Sequence, residues 1–316
     1  MKIDVVIVTY NRLEKLKKTL ECYAQQTKPF RNLVVVNNHC TDGTADYLEA
    51  WQKTNTPFEK HVLNTEDNLG GAGGFYLGEK KVMTFEPDWI FIADDDAYPE
   101  PDLMEHFYNF SEQHPVDSYS AVCAAVMKPD GDFDLCHRSR YLVTPSNHFI
   151  WDSVPLEDYQ KPFFKVDFLS YVGPFINAKA LKKVGYIDPE FFIYNDDSEH
   201  SLRLKKYGEI ICVPSIRIVH DVKTVSQFKG QAAKQTTLVS WGDYYSIRNE
   251  MVMLKRHLPK VAWKRFKSAL KRQMKGKNTN PYDKITWIAI RDAWLHRMGK
   301  HSVYKPGWSV AEDKNK

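Results

Sequence analysis

Short apolar runs rich in β-branched residues punctuate the first hundred positions. Ile3 to Val8 (IDVVIV) and Asn32 to Val36 (NLVVV) carry apolar side chains at successive positions, the pattern of strands buried on both faces of a parallel sheet. Lys60 to Leu63 and Asp88 to Ala93 (DWIFIA) read as two further strands. Between the runs, Leu13, Leu16, Leu20 and Tyr23 recur at helical spacing, Thr44 to Trp51 read as a second helix, and "EDNLGGAGGFYLGEKK" (Glu66 to Lys81) opens a third. Strands alternating with helices predict βαβ units, hence an α/β fold with a Rossmann-like, mostly parallel sheet flanked by helices. In such sheets ligands bind beyond the carboxyl ends of the strands. The polar loops "TYNR", "NNHCTDGT" and "DDDAYPEP" leave those ends and are expected to converge on one crevice.

Beyond Pro101 the pattern loosens. A helix from Asp102 to Gln113 and a strand from Ser120 to Val126 precede hairpins and loops to about Pro162, and "FFIYNDDSEHSLRLKKYGE" returns to helical spacing as far as Gly208. We expect a boundary near Thr236, giving a catalytic α/β domain over 1–236 and a helical, basic region over 237–316. The 316 residues, 43% hydrophobic and 27% charged, have the composition of one large or two modest globular domains. The net charge of +4 conceals a division: from Arg248 onward there are 18 Lys and Arg against 5 Asp and Glu, a net +13, leaving −9 for the preceding part. "MKIDVVIVTYNR" is too short and wrongly flanked for a signal peptide, and no apolar run approaches the ~18 residues of a membrane span, so the expectation is a cytoplasmic protein. Five scattered cysteines without C-x-x-C spacing are expected to be reduced and mostly buried rather than paired or bound to zinc.

Three stretches could carry chemistry. In "WIFIADDDAYPEP", a prolonged strand would turn Asp94 and Asp96 to one side and Asp95 to the other. Two carboxylates on one face repel unless a cation lies between them; Mg²⁺ or Mn²⁺ with substrate phosphates suits them, and a solvated acidic turn is the plain alternative. In "VVVNNHCTDGT", Asn37, Asn38 and Asp42 follow the second strand, where an amide or carboxylate could accept from a pyrimidine N3–H while Thr9 and Arg12 approach the same nucleotide; Asp42 could equally serve only as a helix cap. In "IYNDDSEHSLRL", Asp196, Asp197, Glu199 and His200 begin a helix, where acids are favoured by the dipole and where one carboxylate could act as general base. His220, after a β-like run, could complete a metal shell begun by Asp94 and Asp96. The glycine stretch matches neither G-x-x-x-x-G-K-[ST] nor G-x-G-x-x-G, since Tyr76 stands where a third glycine belongs. It is a helix N-terminus stripped of side chains, open either to close approach of a ligand or to close packing on a strand.

Taken together, "VVIVTYNR", "VVNNHCTDGT", "NLGGAGGF", the aspartate triplet and "FFIYNDDSEHSLRL" resemble, in order and spacing, family 2 glycosyltransferases of the GT-A fold over about Met1 to Asp221. Within that family, "NLGGAGGF" with "DDDA" looks most like bacterial galactofuranosyltransferases and their rhamnosyltransferase relatives. The resemblance implies Asp94, Asp96 and His220 as ligands of Mn²⁺ or Mg²⁺, Asp197 as catalytic base and Asp196 as an acceptor contact. It implies Thr9, Arg12, Asn37, Asp42, Asp95 and the bare backbone of Gly70, Gly71, Gly73 and Gly74 around the donor and its diphosphate. Asn37 stands where many members have aspartate, and Asn195 where the closer galactofuranosyltransferases carry an aromatic residue. The implied activity is inverting transfer of galactofuranose from UDP-galactofuranose to a glycan or lipid-linked glycan of a cell-surface polysaccharide. The nearest rival is rhamnosyl transfer from dTDP-rhamnose. From other classes, a nucleotidyltransferase would need a glycine-rich loop that "IVTYNRLEK" lacks, and a non-catalytic nucleotide- or glycan-binding module is a third reading.

Ten of the 23 residues from Lys255 to Lys277 are Lys or Arg and none is acidic, while Leu258, Val261, Ala262, Phe266, Ala269 and Leu270 recur at helical spacing. Such a helix suits an anionic membrane surface, which would make the protein peripheral at the inner face of the membrane, or a solvated position against the body. The acidic body and the lack of a binding motif disfavour nucleic acid.

Overall fold

The alternating runs fold as one twisted sheet in a computed structural model that describes residues 1–222 and 238–311. In chain order the elements are β1 (Ile3–Thr9), α1 (Leu13–Ala24), β2 (Asn32–Asn37), α2 (Thr44–Gln52), β3 (Glu59–Asn64), α3 (Gly70–Met83), β4 (Trp89–Asp94), β5 (Ala97–Pro99), α4 (Leu103–Gln113) and β6 (Tyr119–Met127). There follow β7 (Arg138–Val143), β8 (Phe149–Ser153), β9 (Phe164–Val166), β10 (Phe168–Leu169), β11 (Pro174–Asn177), α5 (Ala178–Val184), α6 (Asp196–Leu204) and β12 (Glu209–His220). The last part contains β13 (Leu238–Ser240), α7 (Trp241–His257), α8 (Pro259–Met274), α9 (Pro281–Trp294) and β14 (Ser309–Ala311).

Among the described residues the main sheet runs β3-β2-β1-β4-β11-β6-β12-β5, with β9 paired to β12. Strands β1 to β4 are parallel, and β6 and β12 are parallel. The four-residue strand β11 lies antiparallel between β4 and β6, so the sheet is mixed at its centre. The sequence hid β11 because a strand so short shows no alternation. Period two sorts the side chains into two cores. Ile3, Val5, Ile7, Leu33, Val35 and Phe91 face α1, α2 and α4 through Leu16, Leu20, Leu48, Trp51 and Phe107. Val6, Val8, Val34, Val36, Ile90 and Ile92 face Phe75 and Val82 of α3.

The described residues separate into two compact units, one of 1–141, 151–189 and 197–222 and the other of 142–150, 190–196 and 238–311. The expected boundary at 236 lies outside the described residues. In the second unit, Phe192, Val239, Tyr244, Tyr245, Ile285 and Ala289 form a core. Its buried Asn249 gives Nδ2 hydrogen bonds to the carbonyls of Phe191, Ile193 and Tyr194 at 2.7–2.9 Å, holding a segment in which Phe192, Tyr194 and Asn195 all have positive φ. Left-handed backbone at three non-glycine residues persists only where surrounding bonds enforce it.

Candidate active site

Parallel register delivers the ends of the strands to one edge. Thr9 pairs with Asn37 and Asn37 with Asn64, while Asp94 lies beside Val8. The loops that follow are stitched together: Asn38 N–H donates to Thr9 O at 3.0 Å, Thr41 N–H to Asn11 Oδ1 at 2.7 Å and Thr9 Oγ1 to Asp95 Oδ2 at 2.7 Å. The three loops converge as the alternation implied. His220 arrives by a different route. Strand β5 pairs antiparallel with the end of β12, setting His220 opposite Ala97, and Asp221 N–H donates to Asp96 O at 2.9 Å.

The aspartates divide as expected, though by a turn. Strand β4 ends at Asp94, and Asp95 and Asp96 form the bend into β5. Asp95 points back to Thr9, to Tyr10 N–H at 3.3 Å and to Arg12 at 3.2 Å, so its carboxylate braces the first loop. Ligand atoms of Asp94, Asp96 and His220 lie within 4.8 Å of one another. Arg12 and Lys15 reach Asp96 Oδ2 at 2.7 and 3.4 Å, but Asp96 Oδ1 is buried without a hydrogen-bond partner among the described residues, with His220 Nε2 at 3.4 Å. Burial, and then the charge of Asp96, lift the Asp94 carboxyl to about 7. Against its own burial, Asp96 is held below the ordinary carboxylate range by His220, Arg12 and Lys15. An orphaned buried oxygen, a neighbouring carboxyl that resists ionising, and an imidazole fit a small divalent cation, and the hard oxygens suit Mn²⁺ or Mg²⁺.

The other expected donor contacts have partners of their own. Buried Asn37 donates from Nδ2 to Asn64 Oδ1 at 2.8 Å and accepts Cys40 N–H at 3.1 Å. Asp42 accepts from Leu13 N–H, Thr44 N–H and Thr44 Oγ1, tying the starts of α1 and α2 together. Asn38, two per cent exposed, staples the glycine stretch: it donates to Gly70 O at 3.0 Å and accepts Leu69 N–H at 2.9 Å. The glycines serve different ends. A Cβ on Gly74 would sit 2.5 Å from Val8 Cγ1, and one on Gly73 2.5 Å from Leu69 Cβ, which is the geometry of close packing. Gly70 has φ +72°, and Gly71, unlike Gly73 and Gly74, has nothing within 4 Å of where its Cβ would stand.

Asp196 and Asp197 open α6. Asp197 Oδ1 accepts Ser198 N–H at 2.6 Å, and burial raises its carboxyl above the ordinary range against those Ser198 bonds and the charge of Arg138. Arg138 is fully buried, donating to Ala124 O and Val172 O at 2.7 and 2.8 Å, and nothing in the sequence singled it out. Its neighbour His137, also missed, places Nε2 3.2 Å from His220 Nδ1. Of the cysteines, Cys123 and Cys212 are buried, whereas Cys136 is exposed, contrary to the expectation for the group.

This arrangement has relatives. The profile of a family described as "Glycosyl transferase family 2" matches residues 4–185. The chain is 38% identical over 212 residues to "Galactofuranosyltransferase GlfT1" of Mycobacterium tuberculosis, a match spanning 65% of each chain and so just under two thirds of that relative's length. It is 25% identical over 241 residues to "N-acetylglucosaminyl-diphospho-decaprenol L-rhamnosyltransferase" of the same organism, over 69% of this chain and 75% of that one. A crystal structure of GalNAc-T7 with UDP, GalNAc and Mn²⁺ superposes with a TM-score of 0.60 at 15% identity, covering 96% of this chain and 56% of the other, which shows the same GT-A fold. The chain therefore belongs to glycosyl transferase family 2.

Proposed function

We propose that the chain is a metal-dependent, inverting glycosyltransferase that moves galactofuranose from UDP-galactofuranose to a hydroxyl of a glycan or lipid-linked glycan. The observation that carries the metal dependence is the orphaned Asp96 Oδ1 between Asp94 and His220. The likeness to GlfT1 supports the sugar, and that to GalNAc-T7 with UDP and Mn²⁺ supports the nucleotide and the ion. Rhamnosyl transfer from dTDP-rhamnose is the second reading, favoured by the weaker rhamnosyltransferase match.

Asp94, Asp96 and His220 would hold the cation, which when bound would supply Lewis-acid stabilisation of negative charge on the departing diphosphate. The chain's own residues do the rest. Thr9, Arg12, Asp95, Asn37, Asp42 and the backbone from Gly70 to Gly74 form the donor side; Gly71, the glycine with open space, is the best placed for close approach. Asp197 takes the proton of the attacking hydroxyl as the new C1–O bond forms and the bond from C1 to the phosphate oxygen breaks. Its burial makes it a stronger base than an exposed carboxylate. Asp196 contacts the acceptor. One displacement from the opposite face inverts the anomeric centre, with no covalent glycosyl-enzyme.

Replacing Asp197 with Asn should reduce transfer by at least a hundredfold, the low end of the ~10²–10⁴ typical of general-base catalysis, while UDP binding stays within about twofold. Turnover at the wild-type rate would remove Asp197 from the base role.

A further inference from the structure

His220 is backed by a second histidine. Its Nδ1 lies 3.2 Å from His137 Nε2, with the rings 77° apart and centroids 4.9 Å apart, and its Nε2 faces Asp96 Oδ1 at 3.4 Å. His137 Nδ1 in turn lies 2.8 Å from Ser170 Oγ. The same oxygen is 3.4 Å from Arg138 Nη1, which can only donate. His137 is itself fixed: it closes the short turn Leu135–His137 before β7, and the next residue is the buried Arg138.

Proton counting restricts what this row can do. Each neutral imidazole carries one N–H, and a hydrogen bond between the rings needs one donor facing one acceptor, so one of the two facing nitrogens carries a proton and the other does not. With a proton on His220 Nε2, the row runs from Ser170 through His137 to His220, whose Nε2 faces Asp96 Oδ1 across 3.4 Å. A cation at Nε2 needs that lone pair, which moves the proton of His220 to Nδ1. Nδ1–H then requires an acceptor, and His137 Nε2 is in place; the proton of His137 moves to Nδ1 and donates to Ser170 Oγ. With the cation on His220 Nε2, each ring N–H of the row faces an acceptor, so the cation can be bound without leaving an imidazole donor unmatched.

We infer that His137 is a positioning residue for metal binding, holding His220 in the Nδ1–H tautomer and aiming its Nε2 at the cation between Asp94 and Asp96. The inference rests on the metal-dependent reading of the site. A rival use of the same ring exists, because ligand atoms of Asp134, Cys136 and His137 also lie within 4.8 Å of one another, with Asp134 Oδ2 3.7 Å from His137 Nε2. A cation held there through Nε2 would take the lone pair that His220 needs.

The test is Mn²⁺ binding to the full chain in the presence of UDP, read by the loss of the free-ion electron paramagnetic resonance signal. His137→Leu, which has no acceptor, should weaken Mn²⁺ binding by about 10–100-fold, the usual effect of removing the partner of a metal-bound histidine. His137→Gln, whose amide oxygen can accept from Nδ1–H, should recover most of that loss, which a merely space-filling residue would not show. Wild-type affinity in a folded His137→Leu, or equal weakening in Leu and Gln variants, overturns the inference. So does a Cys136→Ser variant that weakens Mn²⁺ as much as His137→Leu, since the ring would then serve the other triad. If the wild type takes up no Mn²⁺, or His220→Ala binds it unchanged, the metal reading itself fails and the inference with it.

Discussion

Glu79 of α3, Tyr171 and His200 of α6 show how far a buried residue's state depends on its neighbours. Tyr171 Oη lies 2.7 Å from Glu79 Oε1 and beside His200 Nδ1, His200 Nε2 is 3.1 Å from Gly185 O, and Ile187 N–H donates to Glu79 Oε2 at 2.8 Å. Burial lifts Glu79 to about 7 and lowers His200 to about 3. The bonds close if neutral Glu79 donates to Tyr171, which donates to a neutral His200, which donates to Gly185 O. Because the folded pKa of Glu79 lies above its ordinary 4.5, its contribution to stability is whole below 4.5 and is lost as pH rises to about 7. Wild type should therefore lose stability relative to Glu79→Gln by about 1.4 kcal/mol per pH unit across that window and run parallel above it. Denaturant melts at a series of pH values check this, and curves parallel throughout would contradict it. The shifts of the Asp94 cluster are common to both proteins and cancel. The sequence singled out His200 but not its partners, because the contacts of this trio join residues about 90 and 30 positions apart. Asp94, Asp96 and His220 were legible because each follows an apolar run, whereas His137 follows none and stands in the short turn Leu135–His137 before β7.

Helix α3 was legible as a helix with too many glycines, but not why. Close packing of α3 on β1 accounts for Gly74, and for Gly78, where a Cβ would meet Val6 Cγ1 at 2.3 Å. A Cβ on Gly73 would strike Leu69, the residue that caps the start of α3, so bulk there should disturb the fold as well as the donor. Gly74→Ala should cost ~1–3 kcal/mol through overpacking. Gly71→Ala should leave the melting temperature equal or higher, since alanine is the better helix former, and weaken UDP binding. Thermal melts with UDP titration separate the two; a Gly74→Ala variant as stable as wild type would contradict the packing account.

For the molecule as a whole, the parallel half of the sheet was legible, because runs buried on both faces have no other common use. The antiparallel β11 and the assignment of 142–150 and 190–196 to the C-terminal unit were not, since both depend on contacts distant in sequence. The basic tail is now better defined. Leu258 and Pro259 end one helix and begin another, so the charged stretch is divided between α7 and α8. Part of its apolar stripe is used internally, with Phe266 stacked on Trp294 at 4.3 Å, and Arg265 and Arg272 pair with Glu250 and Asp283. Lys260, Lys267, Lys271, Trp263 and Met274 remain exposed. No described helix is long and apolar enough to cross a membrane. If α8 serves an anionic surface, changing Lys260, Lys267 and Lys271 together to Gln should weaken sedimentation with phosphatidylglycerol vesicles by about a hundredfold, at ~1 kcal/mol per charge, with UDP binding unchanged. Unchanged sedimentation would leave α8 a packing helix.

The central claim, a metal-dependent UDP-sugar transferase, is tested most directly by calorimetry of UDP, dTDP, GDP and CDP with and without Mn²⁺. The account predicts selective UDP binding that requires the ion and is lost in Asp96→Ala. Binding of all four nucleotides regardless of metal, or selectivity for dTDP, would contradict it.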